Sequence, residues 1–329
     1  MKSTTSFLII LLLCLVSCKE TNKEQAALYL DKNEDPLHDT ALVNKYNAYV
    51  AVSNYVSPAA QEAEIKYVEC VDTKTGVLRA GMTFSPFLNT DRPYELQKME
   101  TYIVKGPKMD GLDKSAALYL EAYQNLHKVI RELIDYYDIN DHEKDNYEKA
   151  KKLNPTVLEA FEKFASVDSL FNAQIEIMDK NFIKLELESY KTNGKEVLYA
   201  HTMLIEHMRE HLQYTSQYDY TTMNKINFEV YDKKTDTIVT AFKMFNDLAK
   251  NEEILKKEVR NPHFLSIFNS KVADYIKMSQ QISEVGKDKK EFDLIVKRAG
   301  RMGKQYVKVS PEKLSKAFGE LIKESNRMK

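Results

Sequence analysis

Apolar residues recur at steps of three and four along most of this chain, and the longest such run predicts its architecture. Val157, Phe161, Phe164, Asp168, Phe171, Ile175, Met178, Phe182 and Leu185 alternate steps of four and three throughout, a period of about 3.5 residues. Sustained over four heptads, the stripe predicts a helix of roughly 45 Å packed in coiled-coil fashion at a shallow angle against its neighbours. A second stripe runs through Tyr231, Thr235, Ile238, Phe242, Phe245 and Ala249. A third, after Asp113, takes in Tyr119, Tyr123, Leu126, Ile130, Leu133 and Tyr137. Further helical spacing covers Phe264 to Ile282, Phe292 to Met302, and Leu314, Phe318 and Leu321.

Glycine and proline placement agrees with a helical chain. Not one glycine occurs in the 82 positions between Gly111 and Gly194. Four prolines follow a capping residue type, at Ser57-Pro58, Asn154-Pro155, Asn261-Pro262 and Ser310-Pro311. This is the N-cap plus first-turn arrangement, so each pair is expected to open a helix. The stretch from Tyr67 to Gly106 departs from the pattern: Thr73-Lys74-Thr75-Gly76 reads as a turn and Val77 to Phe84 as extended, so a small hairpin or irregular insertion is expected there. The fold class predicted is all-α, an elongated antiparallel bundle of seven or eight helices forming one domain over residues 39–329, with a lobe break near residues 190–220.

The N-terminus carries a different pattern. Lys2 precedes an unbroken apolar run from Phe7 to Leu13, followed by Leu15-Val16-Ser17-Cys18. The run is far below the ~20 residues a bilayer crossing needs, so it reads as a secretory leader over residues 1–17. Ser17 directly before Cys18 resembles the lipobox of bacterial lipoproteins, which implies cleavage between the two and a lipid on the Cys18 sulfur. Residues 18–38 are mainly polar and read as a lipid-attached tether. Lys19, rather than Asp, follows the cysteine, which under enteric-type sorting rules favours the outer membrane, with a periplasmic and a surface-facing orientation both open.

Loss of the leader removes Lys2 and leaves 47 basic against 49 acidic side chains, a net of −2. Lys and Glu are interspersed, with no basic excess of the kind that nucleic-acid affinity requires, so no nucleic-acid partner is expected. Of three cysteines, Cys14 leaves with the leader and Cys18 carries the lipid. Cys70, flanked by Val68 and Val71, is expected as a small buried hydrophobe.

Candidate chemistry centres on His207-Met208-Arg209-Glu210-His211, in the His-x-x-Glu-His order of inverted zincins. Histidines four apart on a helix share a face and suit one Zn or Fe, with Glu210 as general base. On the helical wheel, however, His201 falls near the middle of the apolar face while His207 and His211 lie on its flank. The shorter His207-x-x-Glu210 resembles the motif of imelysin-like lipoproteins, with Ile205 where that motif has glycine. Asp168 interrupts the heptad seam and is read as a polar residue that fixes register by bonding across the bundle. Tyrosines cluster at Tyr136-Tyr137 and at Tyr214, Tyr218 and Tyr220; exposed, such rings bind partners or glycans. There is no Gly-rich phosphate loop and no G-x-S-x-G segment.

Tyr136-Tyr137-Asp138, Asp145-Asn146-Tyr147 with Lys149-Ala150, Leu153-Asn154-Pro155 and Ala160-Phe161 resemble the YiiG-like lipoprotein family, and Lys45-Tyr46-Asn47-Ala48-Tyr49 resembles that family's opening helix. The likeness spans residues 40 to about 325. It implies a helical bacterial envelope lipoprotein whose domain has no assigned function, and it carries over no catalytic residues. The expectation is therefore a membrane-tethered, non-catalytic binding or structural module with an envelope protein partner and no cofactor. The alternative is a metal-dependent hydrolase or metal-binding lipoprotein using His207, Glu210 and His211.

Overall fold

The computed structural model describes residues 39–84 and 93–328. The leader, Cys18 and the 18–38 tether lie outside the described residues. Those described are overwhelmingly helical, with eleven α-helices and one two-stranded hairpin, so the fold is all-α. The helices in excess of seven or eight are short ones that apolar periodicity cannot reveal, of four and seven residues, together with one of 13 residues inside the expected insertion.

By compactness the chain divides into two units, with the boundary between Lys184 and Leu185. The first contains α1 (Thr40–Cys70), α2 (Pro93–Lys105), α3 (Asp110–Asp138), the short α4 (Asp141–Lys144) and most of α5 (Glu148–Thr192). Asp39 caps α1, accepting from the amides of Ala41 and Leu42 at 3.0 Å. The heptad seam of α5 is buried at Val157, Phe161, Phe164, Phe171 and Met178 and half-buried at Ile175 and Phe182. It meets an aromatic core in which Phe171 lies 4.6 Å from the Tyr119 ring and Phe164 lies 5.2 Å from it.

Two of the four expected helix starts are not starts. Pro58 lies inside α1 and Pro155 inside α5. In each case tertiary bonds claim the residue that would have capped. Ser57 Oγ donates to Asp168 Oδ1 at 2.5 Å. The Asn154 amide donates to the Thr73 carbonyl at 2.8 Å and accepts from the Tyr67 hydroxyl at 2.6 Å. Asn261-Pro262 does open a 3-10 turn, and Ser310-Pro311 does open the last helix.

The expected hairpin is present as β1 (Val71–Asp72) antiparallel to β2 (Val77–Leu78), with Val71 opposite Leu78. Its turn ends at Gly76, where φ is +75° and a Cβ would stand 2.8 Å from the Asn154 Cβ. Glycine is required there on both counts. Cys70 closes α1 half-buried, less enclosed than expected, because the buried neighbour is Val71 while Val68 is exposed.

The second unit contains α6 (Glu196–Thr215), α7 (Phe228–Ala249), α8 (Glu252–Glu258), α9 (Leu265–Lys287), α10 (Lys289–Met302) and α11 (Pro311–Met328), with single 3-10 turns between several of them. Asn227, Asn251 and Asp288 cap α7, α8 and α10 through their side-chain oxygens. The core joins Leu204 and Met208 of α6, Tyr231, Ile238 and Phe245 of α7, Phe268, Val272 and Tyr275 of α9, and Leu314 and Leu321 of α11.

Helix α6 lacks a cap of its own: Lys195 makes no side-chain cap bond. Instead, Glu258 at the end of α8 accepts from the amides of Val197 at 2.9 Å and Leu198 at 3.1 Å. A carboxylate at this terminus satisfies two orphan donors and complements the helix dipole. Glu258→Ala is expected to destabilise the fold by about 1 kcal/mol, read as a lower denaturation midpoint; an unchanged midpoint would contradict the capping role.

Candidate functional site

Helix α6 carries the histidines that sequence spacing singled out, and packing sorts them. His201 and His211 are buried, His207 is half-buried and Glu210 is exposed. His201 sits between the rings of Phe245 and Phe268, at 5.7 and 5.0 Å, with its Nε2 3.1 Å from Ser325 Oγ. The apolar-face position expected for His201 is therefore observed.

His211 is not on the flank: its side chain is fully enclosed. Tyr231 and Tyr275 close over the ring, at centroid distances of 4.5 and 5.9 Å. Nδ1 lies 2.9 Å from the Tyr275 hydroxyl, which itself donates to the Met208 carbonyl at 3.2 Å. With that phenolic proton committed, Nδ1–H donates to the Tyr275 oxygen, and the proton of the neutral imidazole sits there. Nε2 is then the acceptor nitrogen, with the hydroxyls of Thr235 and Ser279 each 3.3 Å away. Thr235 and Ser279 are 2.7 Å apart, and Ser279 Oγ donates to the Tyr231 hydroxyl at 3.0 Å. No carboxylate is bonded to the ring. Burial, helped by the charge of Lys234, lowers the His211 pKa to about 4.

His207, Glu210 and His211 thus do not converge. Among the described residues no group of three or more His, Cys, Asp or Glu is placed to hold a metal ion. The reason is packing: the face of α6 that covers Tyr231 and Tyr275 is wider than a symmetric wheel suggests and takes in His211. His207 instead joins Tyr199 and Met203 of α6 with Lys233, Asp236 and Met244 of α7 along an open groove of about 460 Å³. The groove is lined by apolar and polar side chains together.

In the first unit the seam residue Asp168 accepts from Ser57 Oγ on α1 and from the Asn172 amide at 3.0 Å. Burial pushes its carboxyl above the ordinary range. Ser57 also lies 3.1 Å from the Tyr119 hydroxyl, so Asp168 bonds across to a serine that in turn meets α3.

Sequence reasoning missed the strongest polar cluster of this unit. Lys45, with its side chain fully buried, pairs with Asp113 at 2.7 Å and donates to the Pro107 carbonyl at 2.7 Å. Asp113 also accepts from the Tyr49 hydroxyl and the Met109 amide, both at 2.8 Å. The available signal was spacing: Leu42, Lys45, Tyr49, Val52 and Val56 alternate steps of three and four, which places Lys45 on the inner stripe.

The segment from Tyr136 to Lys149 forms a corner between α3 and α5. Asn140, Asn146 and Tyr147 all take left-handed backbone, with φ of 55°, 53° and 63°, a strained choice for the aromatic residue. Asp145 holds the corner by accepting from the Tyr136 hydroxyl at 2.6 Å and the Lys149 amide at 3.0 Å. The Tyr136 bond keeps the Asp145 carboxyl below the usual range.

Fold and site together define an all-α protein in which the buried side chains of Lys45, Asn154, His211, Thr235 and Ser279 are tied into interhelical networks. A family model described as a protein of unknown function (DUF3829) matches residues 40–327, nearly all of the described chain, and the protein belongs to that family. No curated protein and no solved structure matches the chain.

Proposed function

We propose that the protein is a YiiG-like lipoprotein of the bacterial cell envelope, lipidated at Cys18, whose helical domain serves as a non-catalytic binding or structural module. The observation that carries this reading is the run Lys2, Phe7 to Leu13, Ser17-Cys18, followed by a mainly polar stretch up to Asp39, which caps α1. In this reading the lipid supplies the anchoring; no helix among the described residues is long and apolar enough to cross a membrane. The binding part is supported by the α6–α7 groove, where Tyr199, Met203 and Met244 lie beside His207, Lys233 and Asp236. A mixture of apolar and polar side chains of this kind is common to protein-binding surfaces.

The test is fractionation of cells that express the wild type and Cys18→Ser. The wild type is expected in the membrane fraction with a mature mass that starts at an acylated Cys18, while Cys18→Ser is expected to keep its leader and carry no acyl chain. A wild-type protein lacking acylation sinks the lipoprotein reading. Crosslinking in the same cells is expected to recover one stoichiometric envelope protein; reproducible recovery of the protein alone counts against the partner.

A further inference from the structure

Helix α10 presents an exposed face that is not packed into the core of the described residues. Its inner side is set by Phe292 and Ala299, both buried, with Ile295 and Val296 half-buried beside them. At roughly 100° per residue, Lys290, Leu294, Lys297 and Arg298 fall on the opposite side. All four are exposed, and Leu294, at 52 %, stands in the middle of the three cations. An exposed leucine ringed by Lys and Arg has no role in holding α10 to the core.

The charge of this stretch is out of keeping with the rest of the chain. From Lys289 to Lys308 there are seven Lys and Arg against two Asp and Glu, a local +5 in a protein whose total is −1. Lys287, just before it, is neutralised by Asp232 at 2.5 Å. By contrast, among the described residues Lys289, Lys290, Lys297, Arg298 and Lys308 make no ion pair. Tyr306, 57 % exposed, adds a second solvent-facing amphipathic side chain in the same stretch. Interspersed charge elsewhere gives way here to a basic excess, with Glu291 and Asp293 the two acids of the stretch and apolar tips among the cations.

We propose that the outer face of α10 docks on the anionic headgroups of a phospholipid bilayer, with Leu294 entering the headgroup layer. A basic helix face bearing an apolar residue suits that interface on both counts: cations are drawn to the negative surface, and the leucine gains burial at the acyl boundary. The proposal rests on the lipid-anchor reading for the nearness of a membrane, while its chemistry lies in residues remote from Cys18. It gives the anchored protein a second, charge-dependent membrane contact, in the way that one acyl chain plus a basic patch gives stable attachment.

The test uses the full chain carrying Cys18→Ser, so that no acyl chain contributes. It is co-sedimented with vesicles of phosphatidylcholine alone and with vesicles of an equal phosphatidylcholine and phosphatidylglycerol mixture. The apolar leader contributes to both, so the preference for the anionic vesicles is the readout. That preference is expected to weaken as salt rises. Lys290→Gln, Lys297→Gln and Arg298→Gln combined are expected to reduce it by on the order of a hundredfold, from three surface charges. Leu294→Ser is expected to weaken binding severalfold with the salt dependence intact. Circular dichroism and melting, unchanged in all variants, exclude unfolding as the cause.

Equal binding to the two vesicle types, or a triple variant that keeps the wild-type preference, overturns the proposal and leaves the face to an acidic protein partner. The acylation state of wild-type Cys18 is measured separately. Acylated protein without the anionic preference removes the docking face alone; preference without acylation removes the anchor alone.

Discussion

Asp113→Ala is expected to destabilise the first unit by about 3–5 kcal/mol, the loss typical of stranding a buried charge. The substitution leaves the fully enclosed Lys45 ammonium with the Pro107 carbonyl and the Tyr49 ring and no counter-charge among the described residues, and it also strips the Tyr49 hydroxyl and the Met109 amide of their acceptor. The reverse change should cost much less. Lys45→Met keeps most of the side-chain volume and leaves Asp113, 18 % exposed, with two donors and some solvent. An apolar isostere in place of a buried ion is often close to neutral. With no tryptophan in the chain, denaturation followed by far-UV circular dichroism is the measurement; equal losses for the two variants would refute the asymmetry.

Acid should find the second unit through His211. Its folded pKa of about 4 lies below the ordinary value near 6.5, so between these two the unfolded chain binds a proton that the native ring refuses. Stability is then complete above about pH 6.5 and is lost progressively as pH falls to about 4, by roughly 3 kcal/mol in all. The cause is enclosure: the ring faces Tyr231, Tyr275, Thr235 and Ser279, the Lys234 charge opposes protonation, and no carboxylate compensates. His211→Gln retains a donor and an acceptor but does not titrate. Its stability is expected to fall less steeply than the wild type's over that interval. Parallel curves for wild type and His211→Gln would remove His211 as the acid-sensitive group.

What the sequence disclosed was the part of the fold governed by repetition. The α5 seam, the Tyr231 to Ala249 stripe of α7 and the Thr73 to Gly76 turn are each specified by several residues that agree, and each is where spacing placed it. The errors came from single residues whose environment is set by distant chain. Ser57-Pro58 and Asn154-Pro155 carry the local chemistry of a helix start, but Asp168, Tyr67 and Thr73 supply partners from up to 111 positions away. His207 and His211 sit four apart as a metal pair would, yet the two differ because α7 and α9 cover only one of them. Lys45 was legible in the stripe from Leu42 to Val56; its partner Asp113, 68 positions on, was not.

The internal prolines also bear on the order in which the first unit is built. Pro58 and Pro155 have no amide proton, so the carbonyls of Asn54 and Lys151 receive no bond from the next turn. At those points the helical ladder is interrupted, and the local sequence favours two shorter helices over one rod. The segments on either side of Pro58 are joined by Ser57 reaching Asp168 and Tyr119, and those of α5 by Asn154 reaching Tyr67 and Thr73. Local contacts favour fast formation; α1 and α5 depend on tertiary bonds for their full length, so their continuity is expected to be a late event in folding, read as low φ-values for substitutions at Ser57 and Asn154.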